Sequence, residues 1–324
     1  MKMAKRYCPV CGAEQPEGGG RKCVYCNSRI EEGAKVSWGW VEAILGFTAS
    51  ILLLFLFQNL LYLIGLSIMI FTSPFSLLRL QLTLNILTMR YELDVNLTTP
   101  PELLSFVTLG ELALLIVPLL YLKLRKIPLR ELGFNFKDRR ATIIDLAVGC
   151  LAGVGMMITA NILSTITSIA LLAVLQALYG PIYGVLLLLL AEEFISEVNA
   201  PFVATSLAQL ILLVASVTLL VAPCEEIATR GFLQQGLEKS WGRWKGLAAA
   251  AVIFSVLHVI FYPQGSSSMG LPGVGIVSVL LALPTYIILS LILGALLQAR
   301  DYRIVTTIAA HASYMAILVI MLSV

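Results

Sequence analysis

Residues 207–239 read LAQLILLVASVTLLVAPCEEIATRGFLQQGLEK. The stretch from Leu207 to Ala222 carries no charge, yet Glu225, Glu226 and Arg230 follow it with only Pro223 to interrupt a helix. An apolar run of this kind belongs in a bilayer, whose core needs about 20 such residues per helix. Ionisable groups continuing that run are costly unless they face a polar cavity, so each is a candidate functional residue. One stretch thus sets both the solvent of the fold and the place to look for chemistry.

Composition agrees. The chain has 324 residues, 59% hydrophobic and 13% charged, where a water-soluble domain carries about a quarter charged residues. Further apolar runs occur at 38–71, 102–122, 142–175, 202–222, 246–262, 274–299 and 304–323. The shorter run Val185–Ala191 leads into Glu192, Glu193 and Glu197, an acidic face read as part of an interfacial or re-entrant helix, with an eighth span open. The expectation is an all-α polytopic membrane protein, a bundle of about seven to eight transmembrane helices behind a small N-terminal zinc ribbon. Its divisions are 1–36 (ribbon), 37–199 (N-terminal membrane helices) and 200–324 (the core bearing the candidate site).

Charge sets the expected orientation. With the N-terminus inside, segments 1–37, 123–141, 230–245 and 300–303 hold 20 of the 22 Lys and Arg residues. Only Arg79 and Arg90 fall on the far side. Basic segments resist export, so this bias predicts a multi-pass protein of the cell membrane with its N-terminus in the cytosol. No secretory signal is apparent in the hydrophilic opening segment. The net charge of +3 is too small to call for a nucleic-acid partner. The sequon at Asn96 is read as a chance match.

Cys8, Cys11, Cys23 and Cys26 form C-x2-C-x11-C-x2-C around a Gly-rich loop. Two such knuckles can place four thiolates around one zinc, and Gly12 suits the turn after the first pair. A segment this short cannot build its own core, so the metal supplies most of its folding energy. Cys150 and Cys224 are expected to pack as small hydrophobes.

The chain has two histidines, His258 and His311, both in apolar spans. Helical rise places Glu225 ~21 Å from Lys239, His258 ~20 Å from Lys245 and His311 ~12 Å from Arg303. The three can meet within the membrane if the helices tilt. Because 202–238 is long for one span, the chain is expected to bend near Pro223 or to begin outside the core. Glu226 and Arg230 stand at i and i+4 and can pair, while Glu225 projects about 100° away and is left free to act on water. Phe254 and His258 share the same spacing.

At these residues the chain resembles the CPBP family of CAAX proteases and bacteriocin-processing enzymes, also called Abi proteins. The family pattern E-E-x-x-x-R reads here Glu225-Glu226-Ile-Ala-Thr-Arg230 with the continuation Gly231-Phe232-Leu233. F-x-x-x-H reads Phe254-Ser-Val-Leu-His258, and H-x-x-x-N begins at His311 but ends on Met315. The resemblance covers roughly 200–324. It implies a helical bundle around a polar cavity and an endopeptidase in which Glu225, assisted by His258, activates water. His311 and the missing Asn would bind the oxyanion. The implied substrates are membrane proteins or lipidated peptides. A catalytic zinc on Glu225, His258 and His311 and a metal-free glutamate mechanism both remain open, beside the structural zinc of the ribbon. A thioether donates no hydrogen bond, so Met315 calls for Tyr314 or Ser313 as a replacement donor. The same substitution makes a non-catalytic relative, acting in bacteriocin immunity or as a scaffold, the leading alternative. A proton-relaying transporter ranks below both.

Overall fold

The computed structural model describes residues 38–72, 108–134, 138–199, 203–204, 206–261 and 272–323. The ribbon cysteines and Asn96 lie outside them. The described residues form eight helices and no strands. They are α1 (Trp40–Thr72), α2 (Ala113–Arg125, entered through a 3-10 turn at Thr108–Leu112), α3 (Arg139–Tyr179), α4 (Pro181–Asn199), α5 (Leu207–Trp241), α6 (Arg243–Phe261), α7 (Pro272–Ala299) and α8 (Ile304–Ser323). Five of these contain stretches long and apolar enough to cross a membrane: Trp40–Gly65, Arg139–Tyr179, Leu207–Trp241, Ile276–Ala299 and Ile304–Ser323. Their outward faces are apolar too, with Leu151 and Leu219 each about three-quarters exposed. Such a surface fits lipid and not water. The chain is a multi-pass membrane protein.

The described helices can be compared with the sequence expectation in three places. The described part of 102–122 is the 3-10 turn and α2, and the run at 185–191, expected in an interfacial or re-entrant helix, belongs to α4, which turns back at Gly180 and packs along α3. The helix of the opening stretch neither ends at Val221 nor breaks at Pro223. It continues to Trp241 through two widened, π-helical stretches, Val217–Val221 and Ile227–Gln234. Proline has no N–H and its ring crowds the carbonyl four residues back. A wider turn just before Pro223 accommodates both effects.

The basic segments 230–245 and 300–303 come together with the start of α1 at one end of the bundle. The Trp38 indole donates to the Phe232 carbonyl at 2.8 Å, and the Trp40 amide donates to Ser240 Oγ at 2.9 Å. Glu238 accepts from Gln298 at 2.7 Å and from the Tyr302 hydroxyl at 2.6 Å. Asp145, fully buried, is held by Arg300 at 2.7 Å and by Arg303. This belt joins the starts of α1, α3, α6 and α8 to the ends of α5 and α7.

Inside a bilayer, helices gain little from burying apolar surface, and close backbone approach matters more. Gly149 and Gly153 of α3 form a G-x-x-x-G pair against α8. A Cβ at Gly149 would stand 2.5 Å from the Thr306 carbonyl oxygen, and one at Gly153 2.6 Å from that of Ala310. The seam sets the position of α8, hence of His311. Gly153→Leu should therefore lower stability in detergent by about 1–3 kcal/mol through overpacking. Gly155→Leu, where nothing lies within 4 Å of the added carbon, should change it by less than ~0.5 kcal/mol. Equal melting temperatures for the two variants would contradict the seam.

Candidate active site

The two glutamates sit on the single ordinary helical turn, Ala222–Glu226, between the two widened stretches of α5. Such interruptions in an α-helix are frequent at functional sites. Here they leave adjacent carboxylates in unlike surroundings: Glu226 has no exposed side-chain surface, whereas that of Glu225 is 14% exposed.

Glu226 is structural by its contacts. Its Oε2 lies 3.4 Å from Arg230 Nε, both side chains wholly buried, and its Oε1 lies 3.0 Å from His311 Nδ1. A carboxylate only accepts, so Nδ1 of His311 carries the proton and donates. Arg230 in turn donates from Nη2 to Ser290 Oγ at 2.8 Å and lies over the Phe254 ring at 5.2 Å. The pair thereby joins α5, α6, α7 and α8.

Glu225 faces the two imidazoles. His258 Nε2 is 3.6 Å from Glu225 Oε1, and His311 Nε2 is 3.8 Å from Glu225 Oε2. Both gaps exceed a direct hydrogen bond. The His258 ring is oriented from behind: its Nδ1 lies 3.1 Å from the Phe254 carbonyl, which can only accept, and its face packs on Phe254 at 4.0 Å. That leaves Nε2 turned toward Glu225. Glu225, Glu226, Arg230, His258 and His311, expected to converge from three helices, are thus found together. Among the described residues, no group of three or more His, Cys, Asp or Glu has metal-holding geometry.

Residues 207–317 match the Rce1-like family model, described as type II CAAX prenyl endopeptidase Rce1-like. The match covers about a third of the chain, from the start of α5 into α8. It contains all five converging residues and supports the CPBP resemblance. No curated protein and no solved structure matches the chain.

Beyond the match, the structure adds groups that the motifs do not contain. Tyr286 of α7 packs its ring 5.5 Å from that of His258. Glu111, in the 3-10 turn before α2, is buried, accepts from Gln58 at 2.8 Å and is close enough to Glu225 to interact electrostatically. Glu111 is an ionisable residue within the expected 102–122 span, and that signal alone could have flagged it. Ser313 lines a groove with Cys150, Phe134 and Thr218. Met315 packs against Leu213, Val217 and Val319. Cys224 lies in the core as expected, whereas Cys150 is exposed, because it stands on the groove side of α3.

Truncating one partner of a buried ion pair strands the other charge. Arg230→Ala should therefore cost about 3–5 kcal/mol of stability. Arg230→Lys should not restore it, because an ammonium cannot reproduce the forked contacts to Glu226 and Ser290. Thermal unfolding in detergent reads both; a wild-type melting temperature for either variant would contradict the assignment.

Proposed function

We propose that the chain is an intramembrane endopeptidase that hydrolyses peptide bonds of membrane-associated proteins or lipidated peptides. The observation that carries this reading is the convergence of one partly accessible carboxylate with two imidazoles brought by separate apolar helices. A carboxylate backed by an ion pair has a structural role, but Glu225 is spared that role by Glu226. It is available as the general base.

In the proposed reaction a water held between Glu225 and His258 gives its proton to Glu225 as its oxygen bonds to the scissile carbonyl carbon. The carbonyl π pair moves onto oxygen. Collapse of that intermediate breaks the C–N bond, and Glu225 passes the proton to the departing amine. His311, fixed by Glu226, faces the same space from the opposite side. Each of these steps uses only side chains of this protein. A metal held by Glu225, His258 and His311 would instead polarise the carbonyl and lower the proton affinity of water.

The proposed setting is the cell membrane with the N-terminus in the cytosol, the side on which the basic belt would then lie. The proposed ribbon at Cys8, Cys11, Cys23 and Cys26 binds one structural zinc and belongs to the segment entering α1 at Trp38. The family description names prenyl endopeptidases, which makes a farnesylated peptide the first substrate class to test beside a single-span peptide. The division into ribbon, N-terminal helices and a 200–324 catalytic core belongs to the same proposal.

A second reading, a non-catalytic relative serving immunity or scaffolding, is favoured by one observation. Met315 occupies the position where a polar side chain is expected and is packed among aliphatic neighbours.

Two experiments separate these readings. Internally quenched farnesylated and single-span peptides should be cleaved in detergent by the wild type and at least ~100-fold more slowly by Glu225→Ala and His258→Ala. Equal turnover by all three would refute the assignment, and no turnover by any favours the inactive relative. Elemental analysis of purified protein should give one zinc per chain, lost when the four ribbon cysteines are changed to serine. A full equivalent retained in that variant would place a metal in the membrane site.

A further inference from the structure

Attack on an amide carbonyl puts a negative charge on its oxygen, and an apolar interior makes an unanswered charge there very costly. A donor aimed at that oxygen is therefore required of any protease in this setting. Of the two positions expected to bind it, His311 has its Nδ1 proton on Glu226, and Met315 cannot donate and is engaged with Leu213, Val217 and Val319. Ser313 looks into the groove with Cys150 and Phe134. Arg230 has no exposed side-chain surface and is enclosed by Glu226, Ser290 and Phe254.

Tyr286 meets the requirement. Its ring lies 5.5 Å from the His258 ring at an interplanar angle of 42°, beside the imidazole that turns Nε2 toward Glu225. It is close enough to Glu225 and to Tyr314 to interact electrostatically with both. No hydrogen bond of its hydroxyl to another described residue is found, and the side chain is only half-buried, so the O–H is not sealed off from an incoming acceptor. Tyrosine in an apolar interior normally finds such an acceptor. Here the acceptor would be one that exists only during the reaction.

We infer that Tyr286 is a further catalytic residue, the hydrogen-bond donor to the oxyanion of the tetrahedral intermediate; this rests on the endopeptidase reading. Tyr286 donates without giving up its proton. The proton that reaches the amine is the one taken from water by Glu225. Tyr314, whose ring is packed with Met156, Leu289 and Leu293, is near enough to Tyr286 to interact with it electrostatically.

Tyr286→Phe removes one oxygen and keeps the ring against His258. It should lower kcat by about 100- to 1000-fold, the usual cost of losing one such donor, with KM for the farnesylated peptide unchanged. A peptide aldehyde, whose hydrate mimics the tetrahedral intermediate, should bind the variant more weakly by a similar factor. Tyr286→His, which keeps a ring donor, should recover part of the rate. Wild-type kcat in Tyr286→Phe, or a loss confined to KM, overturns the inference while leaving Glu225 and His258 as assigned. If Tyr314→Phe alone abolishes cleavage, the donor is Tyr314 and the inference also fails. A wild type that cleaves neither probe removes the endopeptidase reading and this inference together.

Discussion

A guanidinium with no exposed surface cannot stand alone among apolar helices, and the organisation of this bundle follows from what is brought against Arg230. Its charge is met one turn earlier by Glu226, its Nη2 by Ser290 of α7, and its flat face by the Phe254 ring of α6. Glu226 extends the network to His311 of α8. Four helices are thus joined by groups whose desolvation would be severe if any one were withdrawn. Such networks add little net stability over an apolar core of equal volume. Their effect here is geometric: the network fixes where α6, α7 and α8 stand relative to α5, and so where Glu225 points.

The widened stretches of α5 provide the other half of that arrangement. A regular helix through Pro223 would lose a hydrogen bond and crowd the Leu219 carbonyl. The π-helical turns at Val217–Val221 and Ile227–Gln234 avoid this without breaking the rod. Both carboxylates therefore remain at depth in one continuous helix. One is enclosed by its ion pair, and its neighbour, rotated by about 100°, is left partly accessible. On the far side of the bundle, the glycine seam of α3 brings α8 close enough for His311 to reach Glu226. Packing of small residues and satisfaction of a buried charge act together at that imidazole.

Much of this was legible from residue order. The helical spacing of Glu226 and Arg230, and of Phe254 and His258, announced pairs that the structure contains. Depth counting from the basic boundaries correctly kept the glutamates inside the bundle, where hydropathy alone would have expelled them at Val221. At 185–191 the shortness of the apolar run and the glutamates after it marked a helix that packs back on its neighbour and does not span. Tyr286 and Ser290 were not visible at all. Neither belongs to a local motif, and their relation to His258 and Arg230 arises only when α7 packs against α5 and α6. Gly149 and Gly153 carry a readable spacing, but which helix they admit is a tertiary fact.

The central claim is that Glu225 activates water for attack on a peptide bond. Single-turnover cleavage in heavy-oxygen water, followed by mass spectrometry of the products and of the protein, tests it most directly. One heavy oxygen should appear in the new carboxylate of the product and none in Glu225, because water itself is the nucleophile. Heavy oxygen found in the Glu225 side chain would mean that the carboxylate attacks the carbonyl directly, and would contradict the account.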